Sequence, residues 1–435
     1  MGKNLEGNDK NVIIYISMFY PYDYKGETFL ATEIDFLKRF EQKRIAKFIL
    51  PIWANRNEKK KIDIEDLEVI DSVPNYSKYH RILWCIFALA DNEFYKEMAR
   101  LLKSNRLSVR NLIKLLAFTG QGNFIASHLK RYIKDHIQDL PSSLTLYSYW
   151  LHLQAYAAVK VSKKLRPKID IRSISRGHRF DVYEYAAGGY IPFRNYILNG
   201  LDEVHSISQD GVNYLTKNYN FDQEKLKISR LGTEDNGIRI SPKGICLKLL
   251  SCSWMRPVKR NGLILEALKE LDFEVEWTHI GDGEEFNKIQ SEISKLSNKK
   301  IKCNLLGNLN NEQVINYYKE NDFNVFINVS SNEGVPVSIM EAMSFGKVIL
   351  ATDVGGTREI VKSGSNGLLL PEQLSSNELA EKIKEIFEMS EEAYINMCYE
   401  SRDIWQRQCN SQRNYVSFYS DLLVTGDNEE GINYG

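Results

Sequence analysis

The chemistry this sequence offers most clearly lies in two carboxylates and a lysine. Glu333 and Glu341 stand eight positions apart in SNEGVPVSIMEAMSFG (331–346), and Lys259 lies in SWMRPVKRNG (253–262). Gly334 permits close backbone approach, and Pro336 suits a helix start, where its missing N–H would be unpaired anyway. Val337, Ile339, Met340 and Met343 then form the apolar face of a short helix that Gly346 ends. With Glu333 just ahead of that helix and Glu341 inside it, the carboxyls are on the order of 10 Å apart. They are too distant to share a proton as a hydrolytic dyad. They can instead accept hydroxyls at opposite ends of one long ligand, with an anion between them on the free N–H groups of Val337 and Ser338. A sugar joined through diphosphate to ribose has that shape. An ordinary strand–loop–helix with a solvated glutamate at each end uses the same residue types, and spacing alone does not separate the two.

Strands must present these residues. NVFINVS (324–330) runs into SNEGVP, and CLKLLSCSW (246–254) runs toward Lys259; both are apolar stretches of buried parallel strands. FEVEWTHIGDGEEF (273–286), KIKCNLLGNL (300–309), KVILATD (347–353) and NGLLLP (366–371) continue the series. An earlier series comprises NVIIYISMFYP (11–21), a helix over GETFLATEIDFLKRF, then KFILPIWA (47–54), DLEVIDSV (66–73), LTLYSYW (144–150), IDIRSISRGHRFDVYEY (169–185), EVHSISQDGVNYLTKNY (203–219) and KLKISRLGTEDNG (225–237). Strands alternating with helices predict an α/β fold with parallel sheets. The expected domains are 1–235, with a helical insertion at about 78–165, and 236–403, the boundary lying near EDNGIRISPKG (234–244). A last helix within 404–435 is expected to return to the first domain. Ligands of such sheets bind at the carboxyl ends of strands.

The totals exclude several classes. The 435 residues suit two or three domains, and 43% apolar with 26% charged residues is a globular composition. Lys plus Arg (57) equals Asp plus Glu (57), which removes the overall field a nucleic-acid binder uses. The cysteines form no CxxC pair or metal-ligand spacing, the N-terminus lacks a leader-type apolar core, and the longest apolar run is ILWCIFALA (82–90). A cytoplasmic protein is expected. Charge is nevertheless uneven. From Arg100 to Lys134 there is no acidic residue, while Lys103, Arg106, Arg110, Lys114, Lys130 and Arg131 are interleaved with Leu101, Leu102, Leu112, Ile113, Leu115, Leu116 and Phe118. Such a run is commonly a solvated face; it also fits peripheral contact between segment 100–134 and an anionic membrane.

EGVPVSIMEAMSFGKVILATDVGGTREIV (333–361) resembles the signature of the family-4 glycosyltransferases, retaining enzymes whose GT-B fold is two Rossmann-like doubly wound domains facing across a cleft. SCSWMRPVKRNGLILEAL, GDGEEF and NLLGNLNNEQVINYYKENDFNVFINVS follow the family's order. The resemblance implies that Glu333 faces the donor sugar, Glu341 the ribose, Lys259 the diphosphate, and Leu306 and Gly307 the base. It also makes Gly334, Val335, Pro336, Val337 and Ser338 donor contacts. Trp254 stands where the family has an arginine. Arg256, two residues on and on the same side of an extended segment, is the expected replacement. Gly26 falls in the phosphate loop after the first strand, although KGETF replaces the commoner double glycine. His178 in SRGHRFDVYEY matches the family's active-site histidine, with Arg176 and Asp181 as contacts for acceptor or sugar hydroxyls. The catalytic set is then His178, Lys259 and Glu333.

What the resemblance implies is sugar transfer with retention from a nucleotide-diphosphate donor, most commonly UDP, to a lipid-linked or cell-surface glycan. No cofactor and no metal are expected, and the chain carries no Asp-x-Asp. Other readings stay open. One is a sugar-nucleotide epimerase or hydrolase on the same fold. A glycogen- or sucrose-type synthase is a second, against which the basic helical stretch weighs. The third is a non-catalytic partner subunit, favoured by Trp254 and disfavoured by the joint presence of Lys259, Glu333 and Glu341.

Overall fold

The computed structural model describes residues 11–22, 27–39, 45–53, 67–70, 84–136 and 143–423. Two compact units divide between Ser229 and Arg230. In the first, β1 (Asn11–Ser17), β2 (Ile45–Pro51), β3 (Leu67–Val69), β4 (Ser143–Ser148), β5 (Ile171–Gly177), β6 (Glu203–Ser206) and β7 (Leu226–Ile228) form one sheet in the order β3-β2-β1-β4-β5-β6-β7. All its pairings are parallel. β1 is central, matching Asn11 to Ile45 on one side and to Ser143 on the other. Val12 to Ser17 are buried on both faces, which is why NVIIYIS is a continuous apolar run rather than an alternating one.

The helices Asn92–Lys103 and Val109–His136 lie between β3 and β4 in the chain. Leu115, Phe118, Ile125, Leu129 and Ile133 of the longer one enter the domain core. The expected insertion at 78–165 therefore needs correcting. It contains β4, the strand beside β1, and the crossover helix Leu153–Leu165, so the helical stretch is a long crossover within the sheet's own winding.

The second unit holds β8 (Cys246–Cys252), β9 (Glu274–Ile280), β10 (Ile301–Leu305), β11 (Val325–Asn328), β12 (Val348–Thr352) and β13 (Gly367–Leu370), ordered β10-β9-β8-β11-β12-β13. These pairings are parallel too. Leu249, Val325 and Val348 pack with the helices Asn261–Lys269 and Ser376–Glu388. On the other face Leu250, Phe326 and Ile349 meet Val337–Ser344 and Glu391–Gln408. Each fully buried Leu or Ile contributes roughly 1.5–3 kcal/mol. The last long helix is tied to the start of the unit: Trp405 Nε1 donates to Thr233 Oγ1 (2.8 Å), and Arg402 pairs with both oxygens of Asp235 (2.7 and 2.6 Å).

Each sheet reverses its winding once, between β1 and β4 in the first domain and between β8 and β11 in the second. Loops leaving the two middle strands diverge there, opening a crevice at their carboxyl ends.

Candidate functional site

In the second domain the loop after β8 carries Lys259 and the loop after β11 carries Glu333, so both lie at the reversal point. The Lys259 ammonium pairs with Glu333 Oε1 at 2.5 Å, both side chains mostly buried. Asn328 Nδ2 reaches the same oxygen at 3.4 Å. Ser331 N–H donates to the Val258 carbonyl (2.8 Å), tying one loop to the other. The helix Val337–Ser344 begins directly after Pro336, and no side chain caps its N-terminus. Its first N–H groups and positive dipole end thus follow four residues after Glu333, whose carboxylate holds Lys259, an arrangement suited to a diphosphate. Glu341 is in the second turn, buried, accepting from Asn311 Nδ2 (2.8 Å). Burial raises its carboxyl to about 7, against the lowering effect of that hydrogen bond. Glu341 and Lys259 both act electrostatically on Cys252 at the end of β8, whose thiol burial pushes up to about 12.

Several residues that build this site were not singled out from sequence. Gly355 has φ +54°, and a Cβ there would lie 2.0 Å from the Glu333 carbonyl oxygen. Gly356 N–H donates to the Gly334 carbonyl (2.8 Å). The glycine pair after β12 is therefore the floor on which the Glu333 loop rests. Arg260, itself at φ +52°, donates to the carbonyls of Val329 (2.6 Å), Ser330 (3.3 Å) and Glu372 (2.8 Å). His279 is fully buried, and burial lowers it to about 4, so the ring is neutral. Its Nε2–H donates to the Ser253 carbonyl (3.1 Å), leaving Nδ1 to accept from Asn261 Nδ2 (3.0 Å) and Ser251 Oγ (2.8 Å). Gly307 O accepts from Gly281 N (2.8 Å), so the segment expected near the base adjoins the turn after β9. Arg256 is exposed, 6.0 Å from the centroid of the Trp254 ring, and lines a cavity with Trp254, Asp282, Gly283 and Glu284.

In the first domain Gly26 lies outside the described residues. Its neighbour Glu27 is fully buried and holds the turn after β1. Oε1 accepts from Met18 N (2.7 Å) and Trp150 Nε1 (2.8 Å), and Oε2 from Phe19 N (2.8 Å) and Tyr20 N (2.9 Å). Trp150, following β4, and Tyr149 flank the ring of His178, with centroids at 4.5 and 4.8 Å. His178 follows β5 and is 8% exposed, and among the described residues neither ring nitrogen has a hydrogen-bond partner. Burial, reinforced by Arg176, lowers it to about 3, so the imidazole is neutral at physiological pH.

Two expected contacts need correction. Arg176 lies within β5, buried between the sheet and its helices, and its Nη1 donates to Glu33 Oε2 at 3.0 Å with both side chains wholly enclosed. Asp181 is also buried. Its Oδ1 accepts from His178 N (2.5 Å) and its Oδ2 from Leu151 N (2.6 Å), and desolvation raises it to about 7. Both of its oxygens thus hold backbone around His178. The basic run is likewise divided. Arg106 pairs with Glu184 (2.6 Å) and the Gly189 carbonyl (2.5 Å), and Lys114 donates to the carbonyls of Ala187 (2.8 Å) and Tyr190 (2.5 Å), so both clasp the segment that follows His178. Lys103 and Arg110 remain exposed beside Leu102, Leu107, Val109 (77% exposed) and Ile113 (61%).

Residues 247–403 match the family model described as "Glycosyl transferases group 1". Over that stretch the second domain is similar to the group 1 glycosyl transferases. The chain is 35% identical over 135 residues to an uncharacterized glycosyltransferase of Methanocaldococcus jannaschii, a stretch covering 31% of this chain and 36% of that protein. It is 27% identical over 145 residues to the O-antigen biosynthesis glycosyltransferase WbnH of Escherichia coli, covering 33% and 37%. It thus spans about a third of the length of these relatives. Among solved structures, Anabaena HepE in complex with UDP and glucose is similar with TM-score 0.63 at 15% identity, over 95% of this chain and 99% of that one. The fold of the chain is GT-B, two Rossmann-like parallel-sheet domains. Among the described residues no helix is long and apolar enough to cross a membrane.

Proposed function

We propose that the chain transfers a sugar with retention from a nucleotide-diphosphate donor, UDP-linked in the first instance, to a lipid-linked or cell-surface glycan acceptor. The observation that carries this reading is the Lys259–Glu333 pair at the β8/β11 reversal point, directly ahead of an uncapped helix N-terminus. In glycosyl transfer the transition state is oxocarbenium-like and negative charge grows on the departing diphosphate. Lys259 and the helix N–H groups at Val337 and Ser338 supply positive charge for it without a metal. Glu333 accepts hydroxyls of the donor sugar and Glu341 those of the ribose, while Gly307 and Leu306 line the base. His178, neutral and unpartnered between two aromatic rings, orients donor sugar or acceptor. The UDP and glucose in the HepE complex and the O-antigen role named for WbnH support the donor and acceptor classes. The exposed Leu102, Leu107, Val109 and Ile113 beside Lys103 and Arg110 support peripheral contact with an anionic membrane on the cytoplasmic side.

The test is nucleotide release from a panel of nucleotide sugars in EDTA, with and without glycan acceptors. Acceptor-dependent release, abolished in Lys259→Ala and Glu333→Gln, is expected. Full release without acceptor would favour the hydrolase or epimerase reading. Binding without turnover, for every donor and acceptor tried, would favour a non-catalytic subunit. Co-sedimentation with phosphatidylglycerol vesicles, lost in a Val109→Asp/Ile113→Asp double variant, tests the membrane contact.

A further inference from the structure

Trp254 and Arg256 flank Met255, which is fully buried. Met255 N–H donates to the Asp282 carbonyl (2.8 Å), and the Met255 carbonyl accepts from Glu285 N (3.3 Å). Gly283 lies directly on this peptide: with φ +154°, a Cβ there would fall 2.4 Å from the Met255 oxygen. The loops after β8 and β9 are therefore clasped backbone to backbone, and the side chains on either side of each clasp turn outward. Trp254 and Arg256 come from one loop, Asp282 and Glu284 from the other. With Gly283 they line an open cavity of about 540 Å³.

The lining has a definite chemistry. Trp254 is 50% exposed on a loop fixed at both sides. A large half-bare aromatic on rigid backbone is a stacking plate for a ligand with an apolar face. Arg256 stays over that ring and, among the described residues, makes no ion pair with Asp282 or Glu284 although all three line the cavity. Two carboxylates disfavour a phosphate here, which separates this cavity from the Lys259 site. A pyranose satisfies all four side chains: C–H face on the indole, hydroxyl protons to the carboxylates, hydroxyl oxygens to the guanidinium. Arg256 is three residues before Lys259, so their Cα atoms are at most about 10 Å apart.

We propose that Trp254, Arg256, Asp282 and Glu284 form a pyranose subsite that holds one ring of the glycan acceptor beside the donor phosphates. The position of this ring as an acceptor ring rests on Lys259 being the donor lysine; the pyranose contact itself does not. Saturation-transfer NMR with the methyl pyranosides of glucose, galactose, mannose and N-acetylglucosamine tests it. At least one glycoside receives saturation on the protons of one ring face, with and without saturating UDP. The signal falls at least about fivefold in Trp254→Ala, is partly kept in Trp254→Phe, and is unchanged in Lys259→Ala. No saturation of any of the four, equal saturation in Trp254→Ala, or displacement by UDP overturns the subsite. Unchanged UDP affinity in Lys259→Ala overturns the donor reading instead, and is read separately by calorimetry.

Discussion

On the donor-binding role proposed for it, Glu341 ties stability and nucleotide binding to one proton. Its carboxyl goes from 4.5 to about 7 on folding, chiefly through burial. A carboxyl whose folded value is the higher one is favoured by the fold in its protonated form. The resulting penalty is absent below pH 4.5, grows as pH rises toward 7, and is complete above 7. It amounts to roughly 3 kcal/mol. Glu341→Gln keeps the shape and the Asn311 contact but never ionises. In urea unfolding it should match the parent near pH 4.5 and exceed it by up to about 3 kcal/mol at pH 8. Its donor affinity should move the other way, because an ionised carboxylate is the better acceptor for ribose hydroxyls. In the parent, donor KM should stand about tenfold above its plateau at pH 6 and level off above pH 7. A stability gain equal at both pH values, or a parent KM flat from pH 6 to 8, would refute this reasoning.

Other substitutions probe the supports of the two sites. Gly355→Ala puts a Cβ into the Glu333 carbonyl at a left-handed position, so the loop must shift; donor KM should rise at least tenfold while circular dichroism stays native. Glu33→Ala removes the carboxylate paired with the buried Arg176 and should cost about 3–5 kcal/mol in urea unfolding, most of it recovered by pairing Glu33→Leu with Arg176→Met. His178, held near 3 in the fold against 6.5 unfolded, makes stability fall as pH drops below 6.5, by roughly 2 kcal/mol at pH 5. His178→Gln should remove that slope, measured by urea unfolding at pH 5 and 7.

What could be read without coordinates is local. Apolar runs such as NVIIYIS and NVFINVS announce strands buried on both faces, and the loop–helix after Asn328 keeps Glu333, Pro336 and Glu341 in one short stretch. Side chains whose role depends on distant partners escaped. His279 is defined by Ser251, Ser253 and Asn261, and Gly355 by an oxygen across the sheet. Asn311 matters only through Glu341. Arg176 and Asp181 were misassigned for the same reason. Polar residues near a strand end suggest solvent or ligand, until Glu33, far away in sequence, and the Leu151 N–H are found to occupy them. The 78–165 range reads as an insertion because most of it is helical and basic, yet its final part holds the strand beside β1 and a crossover helix.

Arg260 fastens its own loop to two other stretches of chain with a single guanidinium, through the adjacent carbonyls of Val329 and Ser330 and the carbonyl of Glu372. Such a rivet means that these segments cannot loosen one at a time. Selectivity among nucleotide sugars would then evolve by exchanging outward side chains on a fixed frame, whereas a change at the rivet itself would slacken the whole mouth of the domain at once.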